Sequence, residues 1–188
     1  MSITQSKEPA SHEEINFKDA NERQCLIKDG LLLPYFQYHC IPSDLAKYPN
    51  VRAHYIKKHI PRSDYIPGLY TAIWIYTGLS LPASSQSIYL IHPTHSHHLI
   101  YSHRRLDKKC LTNLNSLALT SPECSLVDLC IYARSDEDIF TAFEVLRTNN
   151  MCSYDSVLDH FIDERKRIKI KAAENRFIKI VHSHYNES

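Results

Sequence analysis

Five histidines, His92, His95, His97, His98 and His103, fall within twelve residues of this 188-residue chain. Neutral imidazole is the commonest protein ligand for a metal ion, and His95 and His97 alternate as two residues on one strand face would. No Asp, Glu or Cys lies inside the run to complete a defined ligand set. The segment therefore reads as a polar turn between two strands, and neither a metal nor any other cofactor is expected. The six cysteines are Cys25, Cys40, Cys110, Cys124, Cys130 and Cys152, and none belongs to a C-x-x-C pair. With no export signal in the acidic-leaning N-terminus, they are expected to be thiols in a reducing cytoplasm. Cys124 and Cys130 flank the strongest predicted helix. A nucleophilic thiol needs a base and a lowered pKa, and no readable spacing supplies the base, so both are assigned to core packing. Asp128, among apolar neighbours, is assigned a hydrogen-bonding structural role.

The remaining candidate chemistry is positive charge. The chain carries a net charge of +1, which neither demands nor excludes a polyanion, so local clustering decides. Residues 165–179 hold seven cations against one carboxylate, a net +6. Helical spacing groups Arg165, Lys169 and Arg176, with Lys171 and Lys179 nearby. That face suits phosphate or an acidic protein equally well. Residues 1–30 run the other way, six carboxylates against four cations. The short runs Lys57-Lys58-His59 and His103-Arg104-Arg105 read as solvated surface. Only three glycines occur, Gly30, Gly68 and Gly78, so phosphate-cradling glycine loops are absent and P-loop and dinucleotide-binding readings fall away.

The elements that must position these groups suggest an α+β fold. A capping box at Ser11 to Glu14 precedes a short helix that Gly30 can end, followed by an extended stretch over residues 31–41 broken by Pro34. Four prolines make residues 42–67 a loop-rich connector with one short helix. Residues 68–78 read as a buried helix ended by Gly78. Strands are expected at 87–91 and 99–103. Pro122 suits a first helical position, with Ser121 or Thr120 as cap; from Thr120, Glu123 would complete a capping box. Helices follow at 122–132, 136–147, 154–162 and 166–182. Ile73, Trp74, Leu126, Leu129, Phe140, Phe143 and Phe177 are the predicted core. No apolar run has the length of a membrane span.

These pieces, in this order, resemble the AbiE-type antitoxin-like transcriptional regulators of bacterial type IV toxin–antitoxin and abortive-infection systems. The segment from Arg23 to Gly30 and the strand after it are similar to the recognition helix and wing of a winged helix. Ala72 to Leu79 resembles the family's Ala-rich helix with its Gly-Leu step, and residues 117–129 its Thr-Ser-Pro…Leu-Val-Asp-Leu signature, with Cys124 where the family has arginine. The stretch 167–188 is similar to the basic lead-in to a Vsr-like endonuclease-like domain, which would itself be missing. The resemblance implies a winged-helix-like unit over 1–41, an antitoxin-like α+β domain over 42–188, and a cytoplasmic, non-catalytic DNA-binding autoregulator. Arg23, Gln24 and Lys28 would face the groove, and Arg165, Lys169, Lys171 and Arg176 would contact phosphate. The implied partners are operator DNA and a cognate toxin. A competing expectation is a protein-interaction module that has lost DNA binding and docks an acidic partner through residues 165–179.

Overall fold

The structure is a computed structural model describing residues 19–36, 39–60, 65–79, 88–91, 99–102 and 106–186. It is an α+β fold. Helix α1 (Ala20–Lys28) leads into the antiparallel hairpin β1 (Leu32–Phe36) and β2 (His39–Pro42). A 3-10 turn (Leu45–Lys47) precedes α2 (Pro49–Lys58), and the two-residue β3 (Ile66–Pro67) precedes α3 (Leu69–Thr77). Then come β4 (Ile88–Ile91), β5 (Leu99–Ser102), a 3-10 turn (Lys108–Cys110) and the hairpin β6 (Leu111–Leu114) and β7 (Leu117–Thr120). Four helices finish the described chain: α4 (Pro122–Tyr132), α5 (Asp136–Thr148), α6 (Tyr154–Asp163) and α7 (Ile170–Asn186). None of the helices in the described residues is long and apolar enough to cross a membrane.

Helix α4 is the hub. Every residue from Cys124 to Cys130 is buried, because α3, α5, α6 and α7 all pack on it. Its cap is Ser121, whose hydroxyl accepts from the Cys124 N–H at 3.2 Å. Thr120 instead bonds the Ser125 hydroxyl at 2.7 Å, so the capping box from Thr120 to Glu123 does not form. Glu123 receives the Ser156 hydroxyl at 3.4 Å.

Helix α3 is apolar on all sides and buried from Leu69 to Tyr76. Gly78 ends it at φ +74°, a left-handed residue that favours glycine. Trp74 stacks on Tyr35 with ring centroids 5.6 Å apart, which draws the β1–β2 hairpin into the same core as α2 and α3. The hairpin β6–β7 turns through Asn115 and Ser116, both at positive φ, as a two-residue primed turn requires.

Several expectations need correction. Phe140 is only partly buried, because it lies near the surface with its ring stacked on His184 at 3.8 Å. β4 and β5 pair in parallel, Ile88 opposite Leu99, so they are not the arms of a hairpin. Helical spacing puts Ile170, Ala173, Phe177, Ile178 and Val181 on the apolar side of the last helix, but it is Ile180, not Ile178, that joins the others in the core. The last helix begins at Ile170, not at residue 166. The segment before it is a turn, with Lys169 at φ +66°, because Arg167 is drawn inward by tertiary ion pairs described below. The predicted capping box at residues 11–14 lies outside the described residues.

Helix α6 opens with a true capping box. Ser153 accepts from the Ser156 N–H at 3.0 Å, and the Ser156 hydroxyl accepts from the Ser153 N–H at 2.9 Å. Ser153→Ala is expected to cost about 1 kcal/mol, a fall in Tm of roughly 2–4 °C for a chain of this size, measured by thermal unfolding. An unchanged Tm would mean that packing alone sets this helix end.

Candidate functional site: a buried thiol, imidazole and carboxylate cluster

Four chemistry-bearing side chains from three separate segments converge beneath the surface. Cys110 closes the 3-10 turn ahead of β6, Cys124 stands in the first turn of α4, His160 lies in the last turn of α6, and Glu164 caps that helix. Their donor atoms all lie within 4.8 Å of one another. Cys110 Sγ is 3.6 Å from His160 Nε2 and donates to Glu164 Oε1 at 3.3 Å. Glu164 Oε1 is also 3.6 Å from His160 Nε2. Cys110 and Cys124 are 3% and 0% exposed, and His160 is 8% exposed.

Local folding brings them together for identifiable reasons. The Ser121 N–H donates to the Cys110 carbonyl at 2.8 Å, which fastens the turn before β6 to the start of α4. His160 and Glu164 are four residues apart, so they share one face of α6. That face meets the first turn of α4, since α4 and α6 pack together.

Behind the cluster stands a buried ion-pair chain. Arg167 reaches Glu164 Oε2 at 2.8 Å through Nη1, and Asp128 at 2.6 Å through Nη2. Asp128 is 2% exposed, so its structural role is that of a buried acid with a charged partner. Burial pulls the Arg167 guanidinium down, but Asp128 and Tyr132 outweigh it and the group is held above its ordinary value. The Arg167 guanidinium also lies over the Tyr132 ring, 5.6 Å from its centroid.

Two kinds of chemistry use a thiol beside an imidazole. A nucleophilic Cys–His pair needs an orienting group on the far ring nitrogen and a path for substrate. Here the carboxylate approaches the same Nε2 and the same sulfur, and that sulfur is buried. Donors converging on one point from three directions suit a held cation instead. None of the six cysteines is in a disulfide. Burial pushes the thiols of Cys130 and Cys152 up to about 12. Cys40 is also raised, by burial against an opposing pull from Arg23.

The residues predicted to contact DNA are scattered. Gln24 and Lys28 are exposed on α1, whereas Arg23 is half-buried toward Cys40. Arg165 and Lys169 are exposed on the turn between α6 and α7. Lys171, at the start of α7, pairs with Glu174 at 2.9 Å. Arg176 turns inward and is a structural residue. It pairs with Asp136 at 2.6 Å and donates to the carbonyls of Cys130 and Ala133 at 3.1 and 2.8 Å. The grouping of Arg165, Lys169 and Arg176 on one helix face is thereby overturned. All five clustered histidines, with Arg104 and Arg105, lie outside the described residues.

Sequence reasoning missed Cys110, His160 and Glu164. Only the four-residue spacing of His160 and Glu164 was a readable signal; the two cysteines are joined by tertiary packing. Comparison of the chain with known protein families, curated proteins and solved structures finds no match.

Proposed function

We propose that this protein is a binding module, not an enzyme, and that it docks an acidic protein partner through the turn between α6 and α7. Ile168 carries the reading. It is 85% exposed, and Arg165, Lys166 and Lys169 around it are exposed as well. Among the described residues, no carboxylate lies within ion-pair distance of these three cations, while Asp163, Glu164 and Glu174 nearby are already paired with Lys109, Arg167 and Lys171. An aliphatic side chain ringed by uncompensated cations matches an apolar pocket with an acidic rim. A phosphate backbone would use the cations and leave Ile168 in water. Burying such a side chain is worth about 1.5–3 kcal/mol, roughly 10- to 100-fold in affinity.

The test is fluorescence anisotropy with a labelled peptide of Glu and Asp interspersed with Leu, beside duplex DNA of equal charge, each over a salt series. The peptide is expected to bind, and Ile168→Ser to weaken it about tenfold or more while leaving any DNA affinity unchanged. Absence of peptide binding at low salt, or indifference to Ile168→Ser, ends this reading.

A second reading keeps the antitoxin-like DNA-binding autoregulator, supported by the resemblance of residues 117–129 and by one observation. Gln24 and Lys28 lie four residues apart on a helix with no buried residue, so both are available to a groove. In gel shifts on DNA upstream of its own gene, Gln24→Ala would relax the preference over random duplex. Lys169→Ala would weaken both alike and reduce the salt slope by about one. No shift on either duplex at low salt retires it.

A further inference from the structure

We propose that Cys110, Cys124, His160 and Glu164 form a closed, four-ligand structural site for Zn2+. Zinc bonds of about 2.3 Å to sulfur and 2.0–2.2 Å to nitrogen and oxygen, arranged tetrahedrally, place ligand atoms roughly 3.3–3.8 Å apart. The separations here are 3.3 Å for Cys110 to Glu164, 3.6 Å for Cys110 to His160 and 3.6 Å for His160 to Glu164. Cys124 completes the group within the same 4.8 Å limit. The three pairs among Cys110, His160 and Glu164 thus already stand near tetrahedral edges, and Cys124 lies close enough to complete the set with a small side-chain movement.

Donor chemistry selects the ion. Two thiolates discriminate against magnesium and calcium, which take oxygen ligands, and two sulfurs with one imidazole at tetrahedral spacing suit zinc. Four protein ligands, three buried and Glu164 partly so, leave no open coordination position, so the site holds structure and does not activate water. The outer shell is built for a one-oxygen carboxylate ligand. Arg167 occupies Glu164 Oε2 at 2.8 Å and leaves Oε1 facing the cluster, as supporting groups do around metal ligands.

The exchange balances in charge. Two S–H bonds break, two Zn–S bonds form, and two protons leave to solvent. The imidazole binds neutral through Nε2, and Glu164 binds as the carboxylate that pairs with Arg167. One Zn2+ replaces two protons, so the buried charge is unchanged and Arg167 and Asp128 need not rearrange. The bound ion joins the start of β6, the start of α4 and the end of α6, and so anchors the turn that begins at Glu164.

The full-length protein, purified and then refolded in reducing buffer with one added equivalent of Zn2+, is expected to retain one equivalent through gel filtration by elemental analysis. Co2+ in its place should give a thiolate-to-cobalt charge-transfer band and the intense visible bands of a tetrahedral ion. Cys110→Ser and His160→Ala are expected to lose the equivalent, whereas Cys130→Ser and His95→Ala keep it. Affinity should rise with pH by roughly tenfold per released proton, two protons per ion. Because substitutions in the core can unfold the chain, a native-state measurement runs beside them. A chelator should increase iodoacetamide labelling of Cys110 and Cys124 in the folded wild type, with no change at Cys130. The assignment is overturned if the wild type retains no zinc, if the chelator leaves labelling of Cys110 and Cys124 unchanged, or if the ion is lost with His95→Ala but not with Cys110→Ser.

Discussion

Asp128→Ala is expected to destabilise the fold by about 3–5 kcal/mol, the range for removing one partner of a buried ion pair. The mechanism is the charge left behind. Asp128 sits in the buried middle of α4, 2% exposed, with Arg167 at 2.6 Å. Without it, Arg167 keeps the Glu164 carboxylate and the Tyr132 side chain. Replacing both partners, Asp128→Leu with Arg167→Met, should recover much of the loss, because apolar groups of similar volume remove the desolvation cost of both ions together. Denaturant midpoints on metal-free protein make the comparison, since Arg167 also holds a proposed zinc ligand. A loss below about 1 kcal/mol for the single change would put this pair in the class of surface salt bridges and sink the argument. A double variant worse than the single one would do the same.

That same pair explains where the sequence could and could not be read. Helices α4 and α5 were legible because their signals are local: Ser121 and Pro122 open one, and Ile139, Phe143 and Leu146 recur at helical spacing along the other. Helix α3 was legible from its apolar run between Gly68 and Gly78. The full length of the break between α6 and α7 was not: the spacing predicts a gap at residues 163–165 and a second helix from residue 166, whereas α7 starts at Ile170. Its residues carry good helical spacing, and what unwinds them is Arg167 reaching across to Asp128, thirty-nine positions earlier in the chain. Periodicity cannot register a contact of that kind, so a basic helix starting at residue 166 was the natural expectation.

The cluster behaves the same way. His160 and Glu164 announce themselves as a same-face pair, but Cys110 and Cys124 meet only because the β6–β7 hairpin folds back and the Ser121 N–H bonds the Cys110 carbonyl. The histidine run, by contrast, was conspicuous in the sequence and has no acid or thiol inside it. A ligand set is a property of convergence in space, and residue density along the chain is a weak guide to it. Arg176 makes the complementary point. It counted toward a basic face in the sequence, yet its guanidinium is occupied by Asp136 and two main-chain carbonyls.

Arg52 supplies the second large expected effect. It lies on α2, 2% exposed, and its guanidinium donates to three carbonyls. Nε reaches Ile75 and Nη2 reaches Tyr76, each at 2.8 Å, and Nη1 reaches Ala46. Two of those acceptors belong to the last turn of α3, where carbonyls have no partner within the helix and the helix dipole favours a cation. Burial pulls the guanidinium down to about 10, so it is still charged at neutral pH. The fit extends to the neighbouring turn: a Cβ at Gly78 would stand 3.2 Å from Arg52 Nη1. Arg52→Met keeps the aliphatic stem but leaves three carbonyls without donors, each worth about 1–3 kcal/mol when buried. A total loss of about 3 kcal/mol or more is therefore expected in denaturant unfolding. Arg52→Lys should restore only a minor part, because one ammonium cannot reproduce a planar fork that spans three acceptors. Full rescue by lysine would show that a positive charge at the end of α3 suffices, and the hydrogen-bonding account of Arg52 would have to be abandoned.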